Sequence, residues 1–527
     1  MQLNGLDWAI IGIYVAMLLS IGWSLRKFAQ QGLENYFLGG RNLPGWLNGL
    51  SYASTCLNAD VAPFYCGLAV ATGLYAGWFY IARFGWALLI GGVLFAVFWR
   101  RLKIFTAPEF YELRFQGWGA SWMRGWIAFR SAFIAIVAWT GAGLLGMTKV
   151  ITPIFGIGRV ETMLAVVPVI LVYLYFSGYL GVVITDAIQS LFILLGSTAL
   201  LIAVLVDFGG PTGLGSAIAQ HFPQAMSSLP PAHDKFVSLF AVVAFTFGTS
   251  VGYGGDACPL GGAMEGQRIL SSRDGREASR MYLWTELALF LFLLTLTLPA
   301  LGAMVIWPGL RDGSIDQELA YGMLIHKYIP SGLLGLVLVS VVASLMSTVS
   351  SNLNFGAQVA INDIYRRYLR PDKSEAHYLK MGKLVSLLIL VLSFSVVFGV
   401  NQLLDIAVFM IGLSAAELPA NWAQWWWWRF NTRARLAASI GGPVIYLLVR
   451  YVLLPQQDFA VWILAAMALT TALWVSVALL TPPDDEAILE RFYARAQPLG
   501  WWGPIARRLR TVSTSAGEQP QVLIQEE

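Results

Sequence analysis

The sequence predicts an all-α polytopic membrane protein with about thirteen transmembrane helices. Three observations carry this. Apolar residues make up 57% of the 527 residues and charged residues only 12%, against about 25% charged in soluble domains. Long apolar runs follow one another through the chain, each near or above the roughly 20 residues that a helix needs to cross a bilayer. Lys and Arg gather in every second connection between those runs, which is how a membrane protein fixes its orientation.

The runs fall at about 6–25, 46–72, 77–99, 124–149, 162–178, 181–206, 236–255, 281–306, 332–362, 379–399, 402–428, 434–454 and 458–481. The first is long enough to span and no small-residue cleavage site follows it, so it reads as a span and not as a leader. Connections after odd-numbered runs are basic: Arg26, Lys27 and Arg41; Arg100, Arg101, Lys103 and Arg114; Arg268, Arg273, Arg276 and Arg280; Arg366, Arg367, Arg370 and Lys373; Arg429, Arg433 and Arg435. Connections after even runs hold few such residues, among them Lys149, Arg159, Arg311 and Lys327. The expected topology therefore puts the N-terminus outside and the C-terminus in the cytoplasm. Residues 1–481 form the transmembrane domain, and residues 482–527 a polar cytoplasmic tail with a short interfacial helix near Asp484 to Arg495. The three cysteines and four histidines form no disulfide framework and no metal-ligand spacing. No nucleophile–base pair stands out, which disfavours an enzyme, and nothing suggests nucleic-acid binding.

Two runs look interrupted. The second contains LSYASTCLNADVAPFYCGLAV, with Asn58, Asp60 and Pro63 at mid-depth, and the seventh ends in TFGTSVGYGGDACPLGG. Irregular backbone at membrane depth is tolerated only where it is buried in protein or lines a cavity. Breaks five runs apart, at matching positions of two halves, point to an inverted-repeat transporter with a midplane site. Two independent kinks are the plainer reading.

The ninth run places hydroxyls at Ser340, Ser344, Ser347, Thr348 and Ser351. From Ser344 the spacing i, i+3, i+4, i+7 is one helical face. Such a stripe hydrogen-bonds neighbouring helices or offers oxygens to a small hard cation. Arg83, Asp186 and Glu417 are charged residues inside runs. Intramembrane charges are costly and are paired or functional. Arg83 either pairs with Asp60 or meets a substrate carboxylate. Asp186 is either a cap or ion pair near a short loop, or a cation ligand. Glu417, next to Pro419, either contacts substrate, gates, or holds a kink. Trp425 to Trp428 with Arg429, and Trp99 with Arg100 and Arg101, read as aromatic belts at the membrane surface.

The pieces YFLGGRNLPGWLNGLSYAST (36–55), FTAPEFYELRF (105–115), GYLGVVITDAIQS (178–190), EGQRILSSRD (265–274) and SLMSTVSSNLNFGAQVAINDIYRRYLRP (344–371) resemble the sodium:solute symporter family in order and spacing. That family includes sodium-coupled glucose, proline and sialic acid transporters. The resemblance implies a LeuT-type fold of inverted five-helix repeats, here at about 46–206 and 236–428. It implies sodium-coupled import of a small polar solute by alternating access at a bacterial inner membrane, with one or two sodium ions bound; Arg83 leans the solute towards a carboxylate, with sugar, sugar acid and amino acid left open. It places a first sodium site at Ser54, Leu57, Ser344, Ser347 and Thr348. A second falls at Asp186, Ser350 and Ser351, sharing Ser347. Asn58, Asp60, Arg83 and Glu417 are the candidate substrate contacts. The family's sugar-reading polar groups are not recognisable here. Proton coupling through Asp186, Asp60 or Glu417 is the rival within transport, and a transporter-like sensor the rival outside it.

Overall fold

A computed structural model describes residues 2–176, 178–232, 238–258 and 265–515. Among the described residues the fold is all-helical, and ten helices are long and apolar enough to cross a membrane. Those ten are α1 (Gly5–Ala29), α4 (Ala76–Arg101), α5 (Gly117–Phe155), α7 (Tyr179–Asp207), α10 (Gly275–Ile306), α11 (Leu334–Leu369), α12 (Glu375–Gly399), α13 (Leu403–Trp426), α14 (Thr432–Leu453) and α15 (Phe459–Leu480). Between them lie α2 (Gly45–Cys56), α3 (Val61–Thr72), α6 (Arg159–Phe176), α8 (Leu239–Ser250) and α9 (Glu265–Ser271). The second expected span is thus the broken pair α2–α3, and the seventh is the shorter α8. Pro259 to Gly262, the end of the glycine-rich stretch read from the sequence, lie outside the described residues.

Local chemistry explains the boundaries. Asn4 caps α1: its Oδ1 accepts the Asp7 amide at 3.0 Å, and the Asp7 carboxylate accepts the Asn4 amide at 2.9 Å. The same buried Asp7 accepts the amides of Gly332 and, at 2.6 Å, Gly335, and so also caps the start of α11. Between α2 and α3, Leu57 leaves the helical region at φ −95°, ψ 44°. Pro63, three residues into α3, has no amide to donate, but the third residue of a helix has no intrahelical acceptor for one.

The break needs close packing, and α5 supplies it with glycines. A Cβ on Gly143 would stand 2.1 Å from Asn58 Oδ1, and one on Gly146 would stand 2.3 Å from the Asp60 Cα. Only a residue without a side chain admits that approach. On the other side α2 packs against α7 and α10, and α7 packs along α11. The window of α11 is 89% buried, whereas that of α12 is 28% buried. The hydroxyl helix is therefore the centre of the bundle, with α12 packed on its side, while α14 and α15 pack on each other at the periphery.

The chain after α15 is not a free tail. The helix α16 (Glu486–Ala496) buries Leu489, Phe492 and Ala496. Asp484 accepts the Thr432 amide at 3.0 Å, and Trp502 donates to the Trp425 carbonyl at 2.6 Å. Residues beyond 515 lie outside the described ones.

Candidate functional site

The stripe on α11 faces the break. The Ser344 hydroxyl donates to the Leu57 carbonyl, and the Thr348 hydroxyl donates to the Thr55 carbonyl at 2.8 Å. These are carbonyls that the end of α2 leaves without helical partners. Ser347 Oγ stands 3.4 Å from Thr55 Oγ1, and Ser54 Oγ is buried without a hydrogen-bond partner. Leu57, Ser344, Ser347 and Thr348 thus meet with Thr55 in a buried set of oxygens across two elements, and Ser54 is buried one residue before Thr55 on α2. Ser340, at the N-terminal end of the stripe, donates to the Val337 carbonyl of its own helix.

Below this cluster the Asp186 carboxylate sits at zero exposure. Its Oδ2 accepts from Ser51 at 2.6 Å and from Ser351 at 3.3 Å, and lies 3.5 Å from Arg268 Nη2. Arg268 Nη2 also reaches Thr55 Oγ1 at 2.7 Å and Ser351 Oγ at 2.9 Å. The guanidinium is therefore the cation at Asp186 here. Ser350 is turned to its own helix, donating to the Ser347 carbonyl at 3.1 Å. The Asp186 Oδ1 remains buried without a partner.

Above the cluster is a cavity of about 120 Å³, lined among others by Asn58, Asp60, Arg83, Trp139, Glu265 and Thr348. Asn58 is committed to the fold: it donates to the Trp139 carbonyl at 3.0 Å and accepts the Ala59 amide at 2.9 Å. Arg83 lies over the Phe84 ring at 4.9 Å and the Trp139 ring at 5.2 Å. Among the described residues it forms no ion pair, and Asp60 is not its partner within 4.0 Å. The floor is Glu265, whose Oε1 accepts from Tyr52 at 2.5 Å and also from Tyr253. Those two tyrosines come from the two interrupted segments.

Glu417 is elsewhere. It sits in the break of α13, between Ala415 and Leu418, and is 1% exposed. Its carboxylate pairs with Arg130 and lies 3.6 Å from Arg435, while Asp256 lies 3.1 Å from Arg130. It does not line the cavity. Two arginines and two carboxylates here compensate one another inside the protein, which is what burial of charge requires.

Several of these groups escape a reading of sequence. Arg114, Arg268 and Arg435 look like loop charges, yet all three are fully buried. Trp99 and Trp425 look like a lipid-facing belt, and the structure corrects that: both are buried. Their indole N–H groups donate to the Gly254 carbonyl at 2.7 Å and the Gly255 carbonyl at 2.8 Å. Indoles thus satisfy the backbone that the second interruption leaves open. Gly252 adopts φ +90°, and a Cβ there would stand 1.8 Å from the Leu418 carbonyl. The glycine-rich composition was the available signal for that close approach.

A helical bundle with two interrupted segments, a buried oxygen cluster and a cavity beside it defines a membrane transporter. Comparison with known proteins specifies it. The sodium:solute symporter family model matches residues 36–442, and the chain belongs to that family. It is a sodium-coupled solute symporter and not an enzyme. It is 25% identical to the sodium/glucose cotransporter of Vibrio parahaemolyticus over 455 residues, covering 78% of this chain and 81% of that one. It is also 25% identical to the osmoregulated proline transporter of Bacillus subtilis over 447 residues, 83% of this chain and 87% of that one. The sodium/sialic acid symporter of Proteus mirabilis is 25% identical over 404 residues, 72% and 75% of the two chains. Among solved structures, a substrate-bound, outward-open Na+-coupled sialic acid symporter shares the fold. Its TM-score is 0.76 at 20% identity, covering 92% of this chain and 99% of that one.

Proposed function

We propose that this symporter imports a small, carboxylate-bearing solute across a bacterial inner membrane, with its N-terminus outside and its C-terminus in the cytoplasm. Thirteen spans arranged as LeuT-type inverted repeats, about 46–206 and 236–428, would rock about the central cavity. The observation that carries the reading is the docking of the Ser344 and Thr348 hydroxyls on the Leu57 and Thr55 carbonyls. With Ser54 and Ser347 these oxygens would hold a sodium ion, a hard cation that favours neutral and anionic oxygen ligands. A sodium ion there would bridge the end of α2 to α11. It would favour the state in which those elements are together, which is all that coupling requires. In the cavity Arg83 would take the solute carboxylate through its planar fork.

The test is uptake of labelled solutes by proteoliposomes under an imposed sodium gradient, with potassium and with a pH gradient as alternatives. Uptake driven by the pH gradient alone would favour proton coupling and sink the reading.

A second sodium ion at Asp186, Ser347, Ser350 and Ser351 would have to displace Arg268. The geometry favours Arg268 as the resident cation, and one sodium ion per cycle. Asp186→Asn then leaves a buried guanidinium without its anion and should cost about 3–5 kcal/mol. Asp186→Asn/Arg268→Gln should recover most of that loss. Thermal unfolding of the two variants measures this. A stable Asp186→Asn protein with a lowered ion-to-solute ratio would instead make Asp186 a sodium ligand.

A further inference from the structure

Asp60 and Arg83 line the same cavity with opposite charges and form no ion pair with each other within 4.0 Å. Asp60 is 7% exposed, lines the cavity, and keeps Oδ1 without a hydrogen-bond partner. It precedes the first turn of α3, where the helix dipole favours a negative charge. Arg83 lines the same cavity with its guanidinium against two aromatic rings and no carboxylate within 4.0 Å. Glu265, the other acid on the wall, already accepts from two tyrosine hydroxyls. Buried charges left this way are costly unless something pairs with them.

We infer that the solute is a zwitterion: a small molecule carrying a carboxylate for Arg83 and a cationic amine for Asp60. This rests on the reading of the cavity as the solute site. One ligand charge of either sign satisfies only half of the site. A neutral polyol satisfies neither charge, and would leave both desolvated beneath it. A zwitterion neutralises both and adds no net charge to a cavity at membrane depth. The Trp139 face beside Arg83 gives its carbon skeleton an apolar wall. Asn58, already bonded to α5, positions the break that carries Asp60 and does not read the solute.

The test uses purified full-length protein and thermal unfolding, in sodium and in potassium. The probes are the α-amino acids, the N-acetyl and carboxamide derivatives of whichever bind, simple monocarboxylates, and neutral monosaccharides. At least one zwitterion should stabilise the protein in sodium, with its N-acetyl and carboxamide derivatives at least ten-fold weaker. Asp60→Asn should abolish the preference for the free amine over the N-acetyl form. Arg83→Gln should abolish the preference for the carboxylate over the carboxamide. A cooperative unfolding transition without solute or sodium reports folding of each variant, and if either fails to fold, the derivative series on the native protein decides. A monosaccharide or monocarboxylate that binds in sodium as tightly as any zwitterion overturns the inference, as does a native protein that answers to no zwitterion. An Asp60→Asn variant that weakens amine and N-acetyl forms equally, with its sodium response lost, overturns it too, because Asp60 would then hold the ion. Stabilisation by the probes that is equal in sodium and in potassium would instead sink the coupling reading, while the derivative series still decides the charge preference.

Discussion

Thr348→Ala raises the sodium concentration for half-maximal uptake by about ten-fold or more, while the protein still folds. The hydroxyl meets the Thr55 carbonyl at 2.8 Å at the end of α2. Its loss removes one oxygen ligand from the proposed cation, and a hydrogen-bond-scale contact to a charge is worth roughly 1.5–3 kcal/mol. Ser347→Ala acts in the same direction. Ser340→Ala is the control: it lies on the same helix but bonds within it, to the Val337 carbonyl. Sodium-activation curves from proteoliposomes measure all three. If Ser340→Ala shifts the curve as far as Thr348→Ala, the hydroxyls serve helix packing and the cation assignment is wrong.

Glu417→Gln, by contrast, removes folded protein and not solute affinity. The carboxylate belongs to a four-charge cluster with Arg130, Asp256 and Arg435, all at most 2% exposed. Breaking one buried pair by removing a single partner costs about 3–5 kcal/mol, because the other charge stays behind. Arg130→Gln should be similarly damaging. The double variant Arg130→Gln/Glu417→Gln leaves Arg435 near Asp256 at 4.0 Å and should recover part of the loss. Yield of monodisperse protein and its unfolding temperature are the readouts. A well-folded Glu417→Gln protein with weakened solute binding would return Glu417 to the substrate site.

What the sequence shows well is anything with a period or a break. The apolar runs, the Asn58–Pro63 interruption and the i, i+3, i+4, i+7 face on α11 are patterns within one segment, and each is local. What it hides is the destination of a side chain between segments. Arg268 sits in a short polar stretch that reads as a loop, yet the helix α9 carrying it folds inward and delivers the guanidinium to Asp186, 82 positions away. Hydropathy cannot separate a charge that ends in water from one that ends on a buried anion. The tryptophans mislead for the same reason, since an indole suits a membrane surface and an unpaired carbonyl equally well. Whether Arg83 pairs with Asp60 depends on a few ångströms of side-chain reach, which no spacing rule resolves.

Asp7 leaves a practical mark. One carboxylate stands at the head of two helices: it completes the Asn4 cap of α1 and receives the Gly332 and Gly335 amides that open α11. Trimming the first seven residues, or straining them with a bulky fusion, therefore uncaps the helix that bears the hydroxyls, far along the chain from the cut. A truncation or fusion at that end is therefore a change at the head of α11 as well as of α1, although the two starts lie more than 300 positions apart in the chain.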